Sequence, residues 1–108
     1  MSAQSLYAEA LALFYGLGQT LDVTGVLEEL ASCAVDQGSW ECAMRLAGAA
    51  DTLRRKLGVG APASRKATVE QSLVLARQHL GNTAATIAWL AGAQLPLDQA
   101  VAYARQRE

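Results

Sequence analysis

Histidine is nearly absent: His79 is the only one in 108 residues. A histidine base needs a nucleophile or a second titrating group beside it, and none stands in local register with His79. Cysteine is also scarce, with only Cys33 and Cys42. Two thiols without further cysteines or a nearby histidine make a poor metal site, and in a reducing compartment they read as small buried residues. A phosphate-cradling loop is missing too. The stretch GVGAPASRK (58–66) has glycines and a lysine but lacks the P-loop spacing, and it follows a helical stretch rather than a strand. These absences leave no residues for catalysis to rest on, and the expectation is a non-enzyme with no cofactor and no metal.

Charge of one sign is lacking as well. Nine Lys and Arg stand against ten Asp and Glu, a net charge of -1. That balance gives no electrostatic case for general nucleic-acid binding. The opening MSAQS has no basic region followed by an apolar core, so no secretion signal is read there. Residues 78–97 carry no Asp, Glu, Lys or Arg, yet His79, Gly81, Asn82, Gly92 and Gln94 interrupt them. A membrane span needs about 20 mostly apolar residues, so no membrane is expected, and the chain is placed in the cytoplasm.

Aromatic residues make up only 6% of the chain and β-branched ones are few, which argues against a sheet. Apolar residues make up 52%, too many for a disordered tail, and most of them are Ala and Leu. That mixture suits close-packed helices. The length fits one compact domain with a modest core, to which a neighbour can add stability.

Helical periodicity dominates the chain. Ala3, Leu6, Ala10, Leu13 and Leu17 form one stripe, with Phe14 beside it, and Gly16 and Gly18 end that helix. Val23, Leu27, Leu30 and Ala34 form a second stripe, with Asp22 near its start and Gly38 at its close. Ser39 caps a third helix striped by Ala43, Leu46, Ala47, Ala50, Leu53 and Leu57. Its last turn carries Arg54, Arg55 and Lys56, where cations oppose the helix dipole favourably, and Gly58 stops it. The segment 59–64 is a loop. A fourth helix follows with Val69, Leu73, Ala76 and Leu80. Asn82 or Thr83 caps a fifth through Ile87, Leu90 and Ala91, and a break spans 92–95. Pro96 opens a sixth, whose apolar face is Leu97, Ala100, Val101 and Ala104. Trp40 and Trp89 each follow a cap-like turn and are expected to be mostly packed.

Leu27, Leu30, Ala31, Ala34, Gly38, Ala43, Ala47 and Ala50 sit at tetratricopeptide-repeat spacing. Ala34 and Ala47 replace the usual aromatics, so the repeat is degenerate. A generic helical hairpin has the same need for small residues. Repeat arrays stack and need capping ends, which the last three helices can supply. The expected fold is all-α: about six helices in one domain over 1–108, repeat-like over 1–58 and capping over 64–108. Tyr7, Leu11 and Tyr15 lie off the first helix's stripe and predict an apolar surface needing cover. With Arg54, Arg55 and Lys56 they make up the candidate interaction surface.

The string HLGNTAATIAWL (79–90) has the look of a helix-turn-helix, with Gly81, Ile87 and Leu90 in register. Arg77 occupies the place of the expected small residue. The recognition helix would offer Thr83, Ala84, Ala85, Thr86 and Trp89, with no Arg or Lys for base edges or phosphates.

The run LAGAADTLRRKLGVGAPASR and the tail AWLAGAQLPLDQAVAYA resemble the C-terminal helical region of large bacterial signal-transduction ATPases, often fused to LuxR-type domains. The matching tail positions are Trp89, Gly92, Leu95, Leu97, Ala100, Val101 and Ala104, and Leu13-Phe14 and Leu17-Gly18 resemble the family's preceding repeat. The resemblance implies a tetratricopeptide-like scaffold without catalytic residues, part of a transcriptional or signalling regulator. It also implies that 79–90 is a junction between scaffold helices. The expected function is protein-protein interaction: holding a protein partner, neighbouring repeats or a second copy of the chain in a homodimer. A small-molecule-sensing helical domain is the alternative, and helix-turn-helix DNA binding a further one.

Overall fold

The computed structural model describes residues 2–106. Within them the chain forms six α-helices and no strand: α1 (Ala3–Gly16), α2 (Thr20–Asp36), α3 (Trp40–Leu57), α4 (Ala63–Leu80), α5 (Asn82–Ala93) and α6 (Leu97–Arg105). The fold is all-α, as the periodicity predicts. The hydroxyl of Ser2 caps α1 by accepting the Ser5 N–H at 3.1 Å.

One kind of turn separates the first three helices. At Gly38 the backbone is left-handed, with φ of +74°, and Ser39 N–H donates back to the Ala34 carbonyl at 2.8 Å. A left-handed residue with that six-to-one bond is the Schellman helix end, and a Cβ would be strained there. Gly18 repeats the geometry after α1, with Gln19 N–H donating to the Phe14 carbonyl at 2.9 Å. The chain therefore reverses twice into hairpins.

Several boundaries differ from the expected ones. The α3–α4 loop ends at Pro62, because α4 already begins at Ala63. Gly81, with φ of +85°, is the whole joint between α4 and α5, so Asn82 and Thr83 are helical rather than caps. Gly92 lies inside α5, and the break falls at 94–96. Ser39 holds the capping position of α3 without a side-chain capping bond.

Helix α3 runs through the middle. It is packed against α2 and α5 and, less extensively, α4 and α6, and α6 also meets α1. The stripes read for α2, α3 and α6 are buried at Val23, Leu27, Leu30 and Ala34, then Ala43, Leu46, Ala47, Ala50 and Leu53, then Ala100, Val101 and Ala104, with Leu97 half-buried. Leu57 alone leaves its stripe and is exposed. In α4, Ala76 is buried and Val69, Leu73 and Leu80 are half-buried along the same face.

Helices α1 and α5 reverse the expectation. In α1 the fully buried residue is Leu11, with Ala8 beside it and Tyr7 and Phe14 packed against the core, while Leu6, Leu13 and Leu17 are exposed. Two faces of α1 are apolar, and α2 takes the one bearing the aromatics. In α5 the buried residues are Ala85, Ala88 and Gly92, and Ile87 and Leu90 face outward. The reason is distance. A Cβ placed on Gly48 would fall inside the van der Waals surface of the Trp89 carbonyl oxygen, and one on Gly92 inside that of Arg45. The helices α3 and α5 meet backbone to backbone, and no isoleucine fits between them.

Candidate functional site

The six residues of the expected interaction surface do not form one surface. Leu11 lies in the core with no exposure, which corrects its assignment to an outer face. Tyr7 is half-buried on the α2 side of its helix. Partial burial, followed by the neighbouring Glu29 carboxylate, raises its phenol above the ordinary value. Tyr15 is exposed. Arg55 and Lys56 are exposed at the end of α3, with Arg55 bonded to Asp51 one turn back at 2.8 Å.

Arg54 is not a solvated helix-end cation. Its Nε and Nη2 donate to the two oxygens of Glu28 at 2.8 and 2.7 Å, a bidentate pair tying α3 to α2. Both side chains are about nine-tenths buried, and the bond to the carboxylate raises the guanidinium above its ordinary value. The remaining nitrogen Nη1 reaches the carbonyls of Val59 and Gly60 at 3.4 and 3.3 Å, so the same arginine holds the α3–α4 loop.

That loop separates two clefts. One, of about 660 Å³, opens between α1, α2 and the loop; Tyr7, Phe14, Leu21 and Glu29 line it, together with Arg54 and Arg65. Here the structure does bring Tyr7 and Arg54 together. Arg65 on α4 bonds Glu29 on α2 at 3.3 Å across its edge. The other cleft, of about 500 Å³, lies between α3, α4 and α5, with Val69, Leu73 and Trp89 on its walls. A third hollow of about 380 Å³ borders the same Trp89 and Leu73.

His79 has a structural partner. Its ring lies on Trp40, the centroids 4.0 Å apart and the planes 9° from parallel, which pins the end of α4 to the start of α3. Both cysteines are free thiols; Cys42 is buried and Cys33 half-buried. Burial first, then the carboxylates of Asp36 and Glu29, push the Cys33 thiol up, which makes it a poorer nucleophile at neutral pH. Among the described residues no group of three His, Cys, Asp or Glu could hold a metal ion. No described helix is long and apolar enough to cross a membrane.

At 79–90 the structure has a one-residue corner at Gly81 where a helix-turn-helix has a turn of three or four residues. Arg77 of α4 reaches over that corner and donates to the Thr86 hydroxyl at 3.1 Å. Ile87 and Leu90, the apolar anchors of such a motif, face outward beside the exposed Thr83, Ala84 and Thr86.

Leu6 and Leu13 on α1, with Leu17 at its C-cap, form the outward apolar stripe that the sequence pattern assigned to the interior. Glu28 is another residue the pattern did not single out as an interacting group. A hydrophobic count cannot tell which of two apolar faces a neighbour takes, and a pair 26 positions apart has no local signature. No family model, curated protein or solved structure matches the chain.

Proposed function

We propose that the chain is a non-catalytic protein-interaction module of a bacterial regulator, acting in the cytoplasm, and that it pairs through the outer face of α1 with a second copy of itself. The observation that carries this reading is the stripe of Leu6 and Leu13 on α1 and Leu17 at its C-cap, each more than half exposed. Leu21, at the start of α2, is also exposed and extends the apolar surface. Contiguous exposed apolar surface of this kind marks interaction sites. The likeness of the tail to bacterial signalling regulators supports the setting.

The charge pattern favours a like partner. Glu9 is the only charged residue among the 14 of α1. An antiparallel two-fold pairing sets Leu6 of one copy opposite Leu17 of the other and Leu13 opposite Ala10. The two Glu9 side chains are then offset by about 7 Å along the axis instead of facing each other. Such a pair is isologous and closes on itself.

Light scattering over a range of concentrations tests the proposal. The expected mass rises toward twice the 11.4 kDa of one chain. Leu13→Glu with Leu17→Glu is expected to return it to one chain with unchanged helix content. A mass that stays at one chain at every concentration overturns the pairing.

A further inference from the structure

We propose that the cleft between α3, α4 and α5 is a binding site for a small, uncharged, ring-bearing apolar molecule held against the indole of Trp89. Its volume of about 500 Å³ lies within the range of small-molecule sites. Ala47, Val69 and Leu73 join Trp89 in lining it, one side chain from α3, two from α4 and one from α5. Three helices thus contribute to one apolar surface that the fold leaves open.

The indole is held in place from behind. The Trp89 carbonyl sits at the α3–α5 contact where Gly48 leaves no room for a side chain. One turn on along both helices, the Thr52 hydroxyl donates to the last carbonyl of α5, Ala93, at 2.9 Å and secures the helix lengthwise. The backbone carrying Trp89 therefore has little freedom to draw the ring inward. The small residues Ala85, Ala88 and Gly92 take the interior, and the half-buried indole is left bordering the 500 Å³ cleft on one side and the 380 Å³ hollow on the other. A ring fixed at the border of two apolar hollows is a stacking platform set before any ligand arrives.

The charges around the cleft say what kind of molecule enters. Arg54 is bound to Glu28, and Arg55 to Asp51. Lys66 and Glu70 add one charge of each sign, four residues apart on α4. The lining therefore carries three cations and three anions, with no excess to recognise an acid or an amine. A charged ligand would lose hydration without a dedicated counter-charge, and an uncharged one would not.

The probe is N-phenyl-1-naphthylamine, an uncharged dye with fused and single aromatic rings. It is titrated into the Trp40→Phe protein, in which Trp89 is the sole indole. The expected result is saturable one-to-one binding that quenches Trp89 emission. Leu73→Phe, which narrows the cleft without adding an indole, and Val69→Phe, at another part of its wall, are each expected to weaken binding at least tenfold while circular dichroism stays unchanged. 1-Naphthoate and 1-naphthylmethylamine, charged relatives of the probe, are expected to bind at least tenfold more weakly. The pair Leu13→Glu and Leu17→Glu on α1 is expected to leave the titration unchanged, so the outcome is independent of self-pairing. Unsaturable quenching, unchanged affinity in both narrowed variants, or equal affinity for the charged relatives would overturn the proposal.

Discussion

Helices α2 and α5 both bury one face against α3, and they do it with opposite materials. The buried face of α2 is built of Val23, Val26, Leu27 and Leu30, followed by Ala31 and Ala34. The buried face of α5 is Ala85, Ala88 and Gly92, and its large apolar side chains point away. In α2 the stabilisation comes from removing large side chains from water, about 1.5–3 kcal/mol for each fully buried one. In α5 it comes from many close atom pairs at a backbone contact, and the small residues lose almost no rotamer freedom there. A face of large side chains can relax when one changes. A face without side chains has nothing to move except the helices.

The ion pair on the α2 side sets the upper end of the scale. Glu28→Ala leaves the Arg54 guanidinium buried without its carboxylate, and the expected loss is about 3–5 kcal/mol in urea unfolding. A loss near that of a surface pair, below about 1 kcal/mol, would show that Arg54 finds other partners. Next comes the α5 contact. Gly92→Ala forces a Cβ onto the Arg45 carbonyl, and the expected cost is about 3 kcal/mol, at the upper end for overpacking because backbone must shift. Calorimetry of that variant beside Leu27→Ala sharpens the contrast, because adding one methyl to α5 is then comparable to deleting three carbons from α2. The smallest effect belongs to the outer face of α5. Ile87→Ser with Leu90→Ser should change stability by no more than about 0.5 kcal/mol per site, despite removing two large apolar groups. A larger loss would mean that this face is covered in solution.

The same contrast explains what the sequence reveals and what it hides. Where one face of a helix is apolar, as in α2, α3 and α6, periodicity identifies the buried stripe. Glycines 18, 38 and 58 mark the ends of three helices because the left-handed turn has a local chemical requirement. In α1 two faces are apolar, and the choice depends on α2, which takes Tyr7, Leu11 and Phe14 and leaves the leucines outside. In α5 the bulky residues mark the wrong side, because the close approach is created by Gly48, 44 positions before Gly92. The Glu28–Arg54 pair is hidden for a similar reason: each residue looks like an ordinary member of a polar helix face until α2 and α3 are laid together. The expectation of a regulator scaffold pointed to neither cleft.

The contact between α1 and α6 has a consequence for the order of assembly. The α2–α3 contact joins neighbours along the chain, and α5 follows at moderate separation. Contacts of that kind form early because little chain must be restrained to make them. Bringing α1 to α6 closes a loop containing every other helix, at the greatest entropic cost of any helix pair in the fold. The α1–α6 seam is therefore expected to form late and to open early. In native-state hydrogen exchange the amides of α6 should lose protection well before those of α3, through an opening that leaves the four central helices in place.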